Sequence, residues 1–144
     1  MISTELKTTI QGAYSRFLEA KSLKPRYGQR LMIAEVAKVL GDIDTDDEGR
    51  RSGDPAVVAV EAGTGTGKTV AYSLAAIPTA KAAGKRLVIA TATVALQEQI
   101  VYKDLPDLMR NSGLSFTFAL AKGRGRYMCL SKLDVLLQEG HAQT

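Results

Sequence analysis

Residues 55–69 read Pro-Ala-Val-Val-Ala-Val-Glu-Ala-Gly-Thr-Gly-Thr-Gly-Lys-Thr. The apolar part, residues 56–61, predicts a short buried strand, and the rest predicts a glycine-rich turn that leads into a helix over residues 67–83. Three of the turn residues lack a Cβ, so the backbone can fold tightly and direct several N–H groups at one anion. The positive N-terminal end of the following helix favours the same anion.

This arrangement predicts a phosphate-binding loop. Lys68 is expected to reach the β- and γ-phosphates of a nucleotide, and the Thr69 hydroxyl is expected to bind Mg²⁺. The first position of the motif is Ala62 instead of glycine, so the pattern is matched in a relaxed form. The alternative is a flexible Gly/Thr turn, which the flanking strand and helix disfavour. The predicted loop residues are Ala62, Gly63, Thr64, Gly65, Thr66, Gly67, Lys68 and Thr69.

The composition is that of an ordinary globular domain. The chain has 144 residues, of which 45% are hydrophobic and 24% charged, enough for one domain with a real core. No apolar run is long enough to span a bilayer, and the N-terminus lacks a secretion signal pattern. A single cysteine cannot form an internal disulfide, which fits a reducing cytoplasm. The net charge of +4 permits nucleic-acid binding without arguing for it.

Helical and strand-like segments alternate along the chain. We expect an amphipathic helix over residues 3–21, capped by Ser3 or Thr4, a second helix over about 27–40, and a polar surface loop over 41–54. After the 67–83 helix, which Gly84 should end as a left-handed cap, the further predictions are strand 87–91, helix 94–103, a turn at Pro106, strand 114–120, basic loop 122–126 and helix 130–138. This alternation predicts an α/β fold with a parallel sheet, and it places residues 62–69 and 91–97 on one functional face.

Hydrolysis of a nucleotide requires groups for which the sequence shows no motif. A carboxylate on a second strand normally holds Mg²⁺. The only Asp-Asp-Glu run, residues 46–48, lies in the polar loop, where we interpret it as a solvated charge run. Two alternatives remain: the chain is the beginning of a longer protein, or it is a nucleotide-binding module that does not hydrolyse.

Four stretches in order resemble one family. They are residues 26–29 (Arg-Tyr-Gly-Gln), the phosphate loop, residues 88–100 (Val-Ile-Ala-Thr-Ala-Thr-Val-Ala-Leu-Gln-Glu-Gln-Ile) and residues 123–129 (Gly-Arg-Gly-Arg-Tyr-Met-Cys). Over about residues 1–135 the chain resembles the N-terminal portion of the damage-inducible, DinG-type helicases, superfamily 2 DNA helicases of the iron–sulfur group. The resemblance implies a parallel-sheet P-loop NTPase fold, a RecA-like motor domain 1 preceded by N-terminal helices. That domain would be incomplete, because the strands flanking the phosphate-loop strand come late in such sequences.

For the nucleotide, the resemblance implies that Arg26 and Gln29 read adenine and that Lys68 and Thr69 contact ATP and Mg²⁺. An amide suits adenine because adenine shows a hydrogen-bond donor and an acceptor side by side. The alternative for residues 26–29 is a polar helix start. Catalysis in the family would depend on Lys68 and Thr69.

For DNA, the resemblance implies that Thr91, Thr93 and Gln97 contact the backbone of a single strand, as small hydroxyls and open amides at a helix N-terminus can. The alternative for Thr93 is helix capping, and both roles can hold together. The resemblance further implies that Cys129 is the first of four ligands of a [4Fe–4S] cluster, although a lone cysteine is usually a small buried hydrophobe. Arg124 and Arg126 are candidate contacts to DNA phosphates or, alternatively, part of a solvated basic turn. His141 has no visible role.

The implied function is that of an ATP-dependent 5′-to-3′ DNA helicase, which acts on single-stranded and forked DNA in repair or replication. The resemblance also implies a cytoplasmic, monomeric protein, and we expect this piece alone to be inactive. The expected units are residues 1–54 (N-terminal helices, adenine-reading motif and polar loop), 55–122 (first half of the P-loop core) and 123–144 (start of the cluster domain). The alternative is a P-loop nucleotide-binding module without turnover of its own. A P-loop kinase is a weaker option, because no acceptor site is recognisable.

Overall fold

The regular secondary structure of the described residues is helical. The computed structural model describes residues 2–141, without the side chain of His141. Met1, from the first expected unit, and residues 142–144, from the third, lie outside the described residues. The helices are α1 (Thr4–Ala20), α2 (Tyr27–Gly41), α3 (Lys68–Ala82), α4 (Val94–Gln99), α5 (Leu105–Ser112) and α6 (Leu130–His141). A π-helical segment, Ile100–Asp104, joins α4 to α5, and a 3₁₀ turn spans Arg124–Arg126. None of these helices is both long and apolar enough to cross a membrane.

Helix α1 forms as its sequence predicts. Its apolar side chains recur at helical spacing, and five residues of that face are buried: Ile10, Ala13, Tyr14, Phe17 and Leu18. Of the two predicted caps, Ser3 is the N-cap, because its side chain accepts a hydrogen bond from the Leu6 N–H at 3.1 Å.

Helix α3 lies at the centre of the core. It packs against α1 and α2, and its middle part is buried, with Ala71, Leu74 and Ala75 fully enclosed. Helix α5 packs against α1, and its Leu105 and Leu108 belong to the same buried core. Gly84, with φ of 62°, follows the end of α3 in the left-handed conformation, as predicted. This core fixes the start of α3, where the phosphate-loop motif lies.

The structure does not confirm the parallel sheet. Within residues 2–141 the predicted strands 56–61, 87–91 and 114–120 form no ladder with one another, and the one isolated bridge joins Thr45 to Arg51 in the polar loop. Val57 is 80% exposed and Val88 is 85% exposed, whereas Ile89, Leu114 and Phe116 are partly buried against the helical core. An apolar run favours extended backbone, but a strand also requires a neighbour that accepts its N–H groups.

The predicted turn at Pro106 is wrong. The chain stays helical from α4 through the π-helical segment into α5, and Pro106 is in the first turn of α5. Proline has no N–H and crowds the carbonyl four residues earlier. The wider π turn, in which the Leu105 N–H bonds to the Ile100 carbonyl, provides the register change that accommodates it.

Candidate nucleotide site and nucleic-acid interface

The glycine-rich turn has the backbone conformation that its sequence predicts. Gly65 and Gly67 have φ of 73° and 76°, a region that residues with a Cβ rarely adopt. Gly67 is also the N-cap of α3, and it supplies no capping side chain. The first-turn N–H groups of α3 therefore have no side-chain acceptor from the cap, and they face the turn.

Lys68 is held inside this turn. Its Nζ donates to the carbonyl oxygens of Ala62 and Gly63, each at 2.8 Å. The Thr66 hydroxyl donates to the same Gly63 carbonyl at 2.8 Å. Thr69 follows on the first turn of α3 and is partly buried. The turn thus concentrates one ammonium group and the hydroxyl of Thr69 at a single helix end.

The two residues of the Arg-Tyr-Gly-Gln motif reach the turn from the start of α2. Arg26 donates from its guanidinium to the Gly65 carbonyl at 3.0 Å, and the Gln29 amide donates to the Gly67 carbonyl at 3.5 Å. A cleft of about 490 Å³ lies beside them, lined by the first turns of α2 and by residues 58–63 and 66. The structure therefore brings Arg26 and Gln29 together with the predicted loop.

Tyr14, a buried residue of α1, also belongs to this cluster. Its hydroxyl accepts a hydrogen bond from the Arg26 N–H at 3.3 Å and donates to Oε1 of Gln29 at 3.2 Å. A usable sequence signal exists: a tyrosine on an otherwise apolar helix face needs a partner for its hydroxyl when it is buried.

The predicted DNA contacts gather around the start of α4. Thr93 is the N-cap, and its hydroxyl accepts from the Leu96 N–H at 3.2 Å, as the capping alternative predicts. The Thr91 hydroxyl donates to the Thr93 carbonyl at 3.2 Å. Thr91 and Gln97 line a groove of about 1270 Å³ between residues 85–91 and 115–121. Thr93 is exposed, so its side chain remains accessible in addition to capping the helix.

Gln97 connects α4 to the basic turn. Its amide donates to the Ala121 carbonyl at 3.2 Å, and its Oε1 accepts from the Arg126 guanidinium at 2.5 Å. Glu98 lies 3.9 Å from the same guanidinium. Arg124, in contrast, is exposed and is not part of this network. The pairing of Gln97 with Arg126 is not among the contacts expected from the sequence.

Cys129 is exposed and has a free thiol, so it is not the small buried hydrophobe of the alternative interpretation. Within residues 2–141 no group of three or more His, Cys, Asp or Glu side chains is placed to hold a metal ion. Cys129 is also the single cysteine of the chain. These residues do not by themselves fit a cluster that requires four thiolates.

The acidic run 46–48 is engaged in its own loop. Asp46 accepts from the N–H groups of Glu48 and Arg50 at 3.0 and 2.8 Å, and its carboxylate also pairs with the Arg50 side chain at 3.2 Å. Lys85 donates to the Gly49 carbonyl. The carboxylates thus organise a surface turn at residues 42–53.

A glycine turn of this conformation at the start of a helix, with lysine and threonine as the first two helical residues, defines the class of P-loop nucleotide-binding proteins. Residues 49–137 match the family model of the DEAD/DEAH box helicase. The chain belongs to this family. Membership implies the RecA-like P-loop NTPase fold.

Most of the chain is similar in sequence to known proteins. It is 41% identical over 135 residues to the ATP-dependent DNA helicase DinG of Photobacterium profundum, covering 93% of this chain and 18% of the relative. The DinG helicase of Escherichia coli K12 is 41% identical over 136 residues, 94% of this chain and 18% of that protein. The Salmonella choleraesuis DinG helicase is 46% identical over 112 residues, 78% of this chain and 14% of its own length. The chain thus spans about 18% of the first two relatives.

Proposed function

We propose that this chain is the nucleotide-binding part of an ATP-dependent DNA helicase. The observation that carries the proposal is the conformation of the turn at residues 62–69. Two of its glycines adopt positive φ, and Nζ of Lys68 donates hydrogen bonds to two carbonyl oxygens of the turn. The family match and the names of the similar proteins support helicase activity specifically.

Lys68 is the residue whose contacts change when nucleotide binds. A phosphate oxygen at the turn would replace the carbonyls of Ala62 and Gly63 as its acceptor, a charge-assisted contact worth about 1.5–3 kcal/mol. The Thr69 hydroxyl would hold Mg²⁺, which neutralises phosphate charge when it is bound. The other hydrogen bonds to the phosphates would come from the backbone N–H groups of the turn residues Gly63, Thr64, Gly65, Thr66 and Gly67.

Arg26 and Gln29 are proposed to read the adenine base. Both lie at the start of α2 and already reach the carbonyls of the loop, which supports a position beside the bound nucleotide. Gln29 can present an acceptor and a donor side by side, and adenine presents the complementary pair at N6 and N7.

The start of α4 and the basic turn are proposed to bind single-stranded and forked DNA through its phosphates. Thr91, Thr93 and Gln97 supply hydroxyls and an amide at a helix start, and Arg124 and Arg126 supply positive charge. The contact between Gln97 and Arg126 joins these two parts into one surface. Movement in the 5′-to-3′ direction and a role in repair or replication conflicts rest on resemblance to the DinG-type helicases.

Cys129 is proposed as the first ligand of a [4Fe–4S] cluster in the intact protein, with three ligands outside this sequence. Its exposed thiol and the preceding Gly-Arg-Gly-Arg-Tyr support this role. Replacing Cys129 with Ser should remove the iron and the brown absorbance from anaerobically purified intact protein. Full iron content in the Cys129→Ser protein would contradict the assignment.

The fold around the site is proposed to be completed in the intact protein. Residues 56–61, 87–91 and 114–120 would be strands of a parallel sheet, and the exposed Val57 and Val88 support a covering partner for the first two. The division into units 1–54, 55–122 and 123–144, a monomeric state and a cytoplasmic location belong to the same proposal.

The test compares Lys68→Ala with Lys7→Ala in the intact protein. Lys7 is an exposed lysine of α1, away from the turn, so its replacement controls for the loss of one charge. Lys68→Ala should weaken ATP binding roughly 10- to 150-fold and abolish DNA-stimulated hydrolysis, whereas Lys7→Ala should change neither. Wild-type ATP affinity and turnover in Lys68→Ala would refute the proposal. A wild-type protein that binds ATP without hydrolysing it on DNA would favour the nucleotide-binding module without turnover.

A further inference from the structure

We propose that Tyr14 is a positioning residue for nucleotide recognition: its hydroxyl orients the Gln29 amide so that the site prefers adenine over guanine. The inference rests on the proposed function, because it concerns the base that Gln29 reads. Tyr14 is on α1, buried in the core and outside the motifs that suggest a nucleotide site.

One hydroxyl serves both residues of the Arg-Tyr-Gly-Gln motif. It accepts from the Arg26 N–H at 3.3 Å and donates its single hydrogen to Oε1 of Gln29 at 3.2 Å. The backbone contact fixes where α2 begins, because Arg26 is the N-cap of that helix. The side-chain contact fixes the oxygen of the amide.

The other side of the amide faces an acceptor. Nε2 of Gln29 donates to the Gly67 carbonyl at 3.5 Å, and a carbonyl can only accept. The nitrogen therefore faces the phosphate loop and the oxygen faces Tyr14. Without the tyrosine hydroxyl, a single weak contact at Gly67 holds the amide, and its terminal torsion has a broad minimum.

This arrangement uses half of the capacity of the amide. Oε1 keeps one lone pair and Nε2 keeps one hydrogen, so an acceptor and a donor remain next to each other. Adenine offers the N6 donor and the N7 acceptor, which match this pair, whereas guanine offers acceptors at both O6 and N7. Guanine therefore gains one hydrogen bond in either orientation of the amide, whereas adenine gains two only when the oxygen faces N6 and the nitrogen faces N7. An amide that rotates freely thus loses affinity for adenine and keeps its affinity for guanine.

The test measures the affinities of non-hydrolysable ATP and GTP analogues for the intact protein. The variants are Tyr14→Phe, Gln29→Ala, the double variant, and Tyr102→Phe as a control. Tyr102 is 70% exposed and lies in the π-helical segment, outside α1 and α2. The control therefore also removes one tyrosine hydroxyl, but at a position outside these two helices. Tyr14→Phe should lower the ATP-over-GTP preference roughly 3- to 10-fold, with GTP affinity unchanged. Tyr102→Phe should keep the wild-type preference, and adding Tyr14→Phe to Gln29→Ala should cause no further loss.

Three results would overturn the inference. They are a wild-type preference in Tyr14→Phe, an equal loss of both nucleotides, which a purely structural role would cause, and an undiminished effect of Tyr14→Phe in the Gln29→Ala background. A wild-type protein that binds ATP but does not prefer it over GTP would refute the proposed adenine reading and this inference together. A wild-type protein that binds neither analogue would refute the proposed function itself.

Discussion

Gly67→Ala tests whether the conformation of the glycine turn and the position of Gln29 depend on each other. Gly67 has φ of 76°, and a Cβ at this position would overlap Nε2 of Gln29. The left-handed conformation costs a residue with a Cβ about 1–2 kcal/mol, which lowers the free energy difference between folded and unfolded protein. The clash must in addition move Gln29 away from the Gly67 carbonyl.

The two effects are measured separately. Strain is present in both free and nucleotide-bound protein, so it lowers stability without changing affinity. Displacement of Gln29 removes two expected hydrogen bonds to adenine, each worth about 0.5–1.5 kcal/mol, and should weaken ATP binding roughly 5- to 150-fold. Gly84→Ala is the matched control, because Gly84 has φ of 62° and a Cβ there would meet no heavy atom within 4 Å.

Calorimetric titration with an ATP analogue and thermal unfolding of the intact protein provide the two readouts. Both variants should be less stable than the wild type by similar amounts, and only Gly67→Ala should lose ATP affinity. Wild-type ATP affinity in Gly67→Ala would refute the reasoning. An equal loss of affinity in Gly84→Ala would show that strain at any left-handed glycine explains the effect.

Three further outcomes are expected. Thr93→Ala should weaken DNA binding similarly for all DNA sequences in a filter-binding assay. Ser3→Ala, which removes a comparable helix cap worth about 1 kcal/mol, should leave DNA binding unchanged. A loss that depends on the DNA sequence would contradict contact with the DNA backbone. Arg126→Ala should lower DNA affinity and reduce the salt slope by about 1, and an unchanged slope, or an equal change in exposed Arg110→Ala, would contradict a phosphate contact. Leu74→Ala should lower the free energy of unfolding by about 2–5 kcal/mol in denaturant titrations, because Leu74 is fully buried in α3; a loss below about 1 kcal/mol would show that this core is loosely packed.

Helices α1, α2 and α3 and the conformation of the glycine turn were predictable from local sequence. The apolar spacing of α1 and the cap at Ser3 identify that helix, and glycine at positions 65, 67 and 84 identifies three left-handed turns. Each of these features depends on residues that are close in the chain. Short-range sterics and hydrogen bonding therefore determine them.

The sheet and the π-helical segment were not predictable in the same way. Residues 56–61 are apolar enough for a strand, but pairing depends on a neighbour that local sequence does not specify. A turn was expected at Pro106, but the chain stays helical there. The proline is accommodated by the hydrogen-bond register of residues 100–104, which the proline itself does not specify.

The side-chain links of the candidate site join distant parts of the chain. Tyr14 meets Gln29 across 15 positions, and Gln97 meets Arg126 across 29 positions. Both pairings follow from how helices and loops pack, so residue patterns could supply the members of each pair but not the contact.

The central claim is that the turn at residues 62–69 holds the phosphates of ATP, and a structure of the intact protein with a bound ATP analogue tests it most directly. We predict that the β-phosphate lies within hydrogen-bond distance of the backbone N–H groups of the turn. Nζ of Lys68 should have left the carbonyls of Ala62 and Gly63 for phosphate oxygens. Nucleotide bound elsewhere, with Lys68 still on those two carbonyls, would contradict the claim.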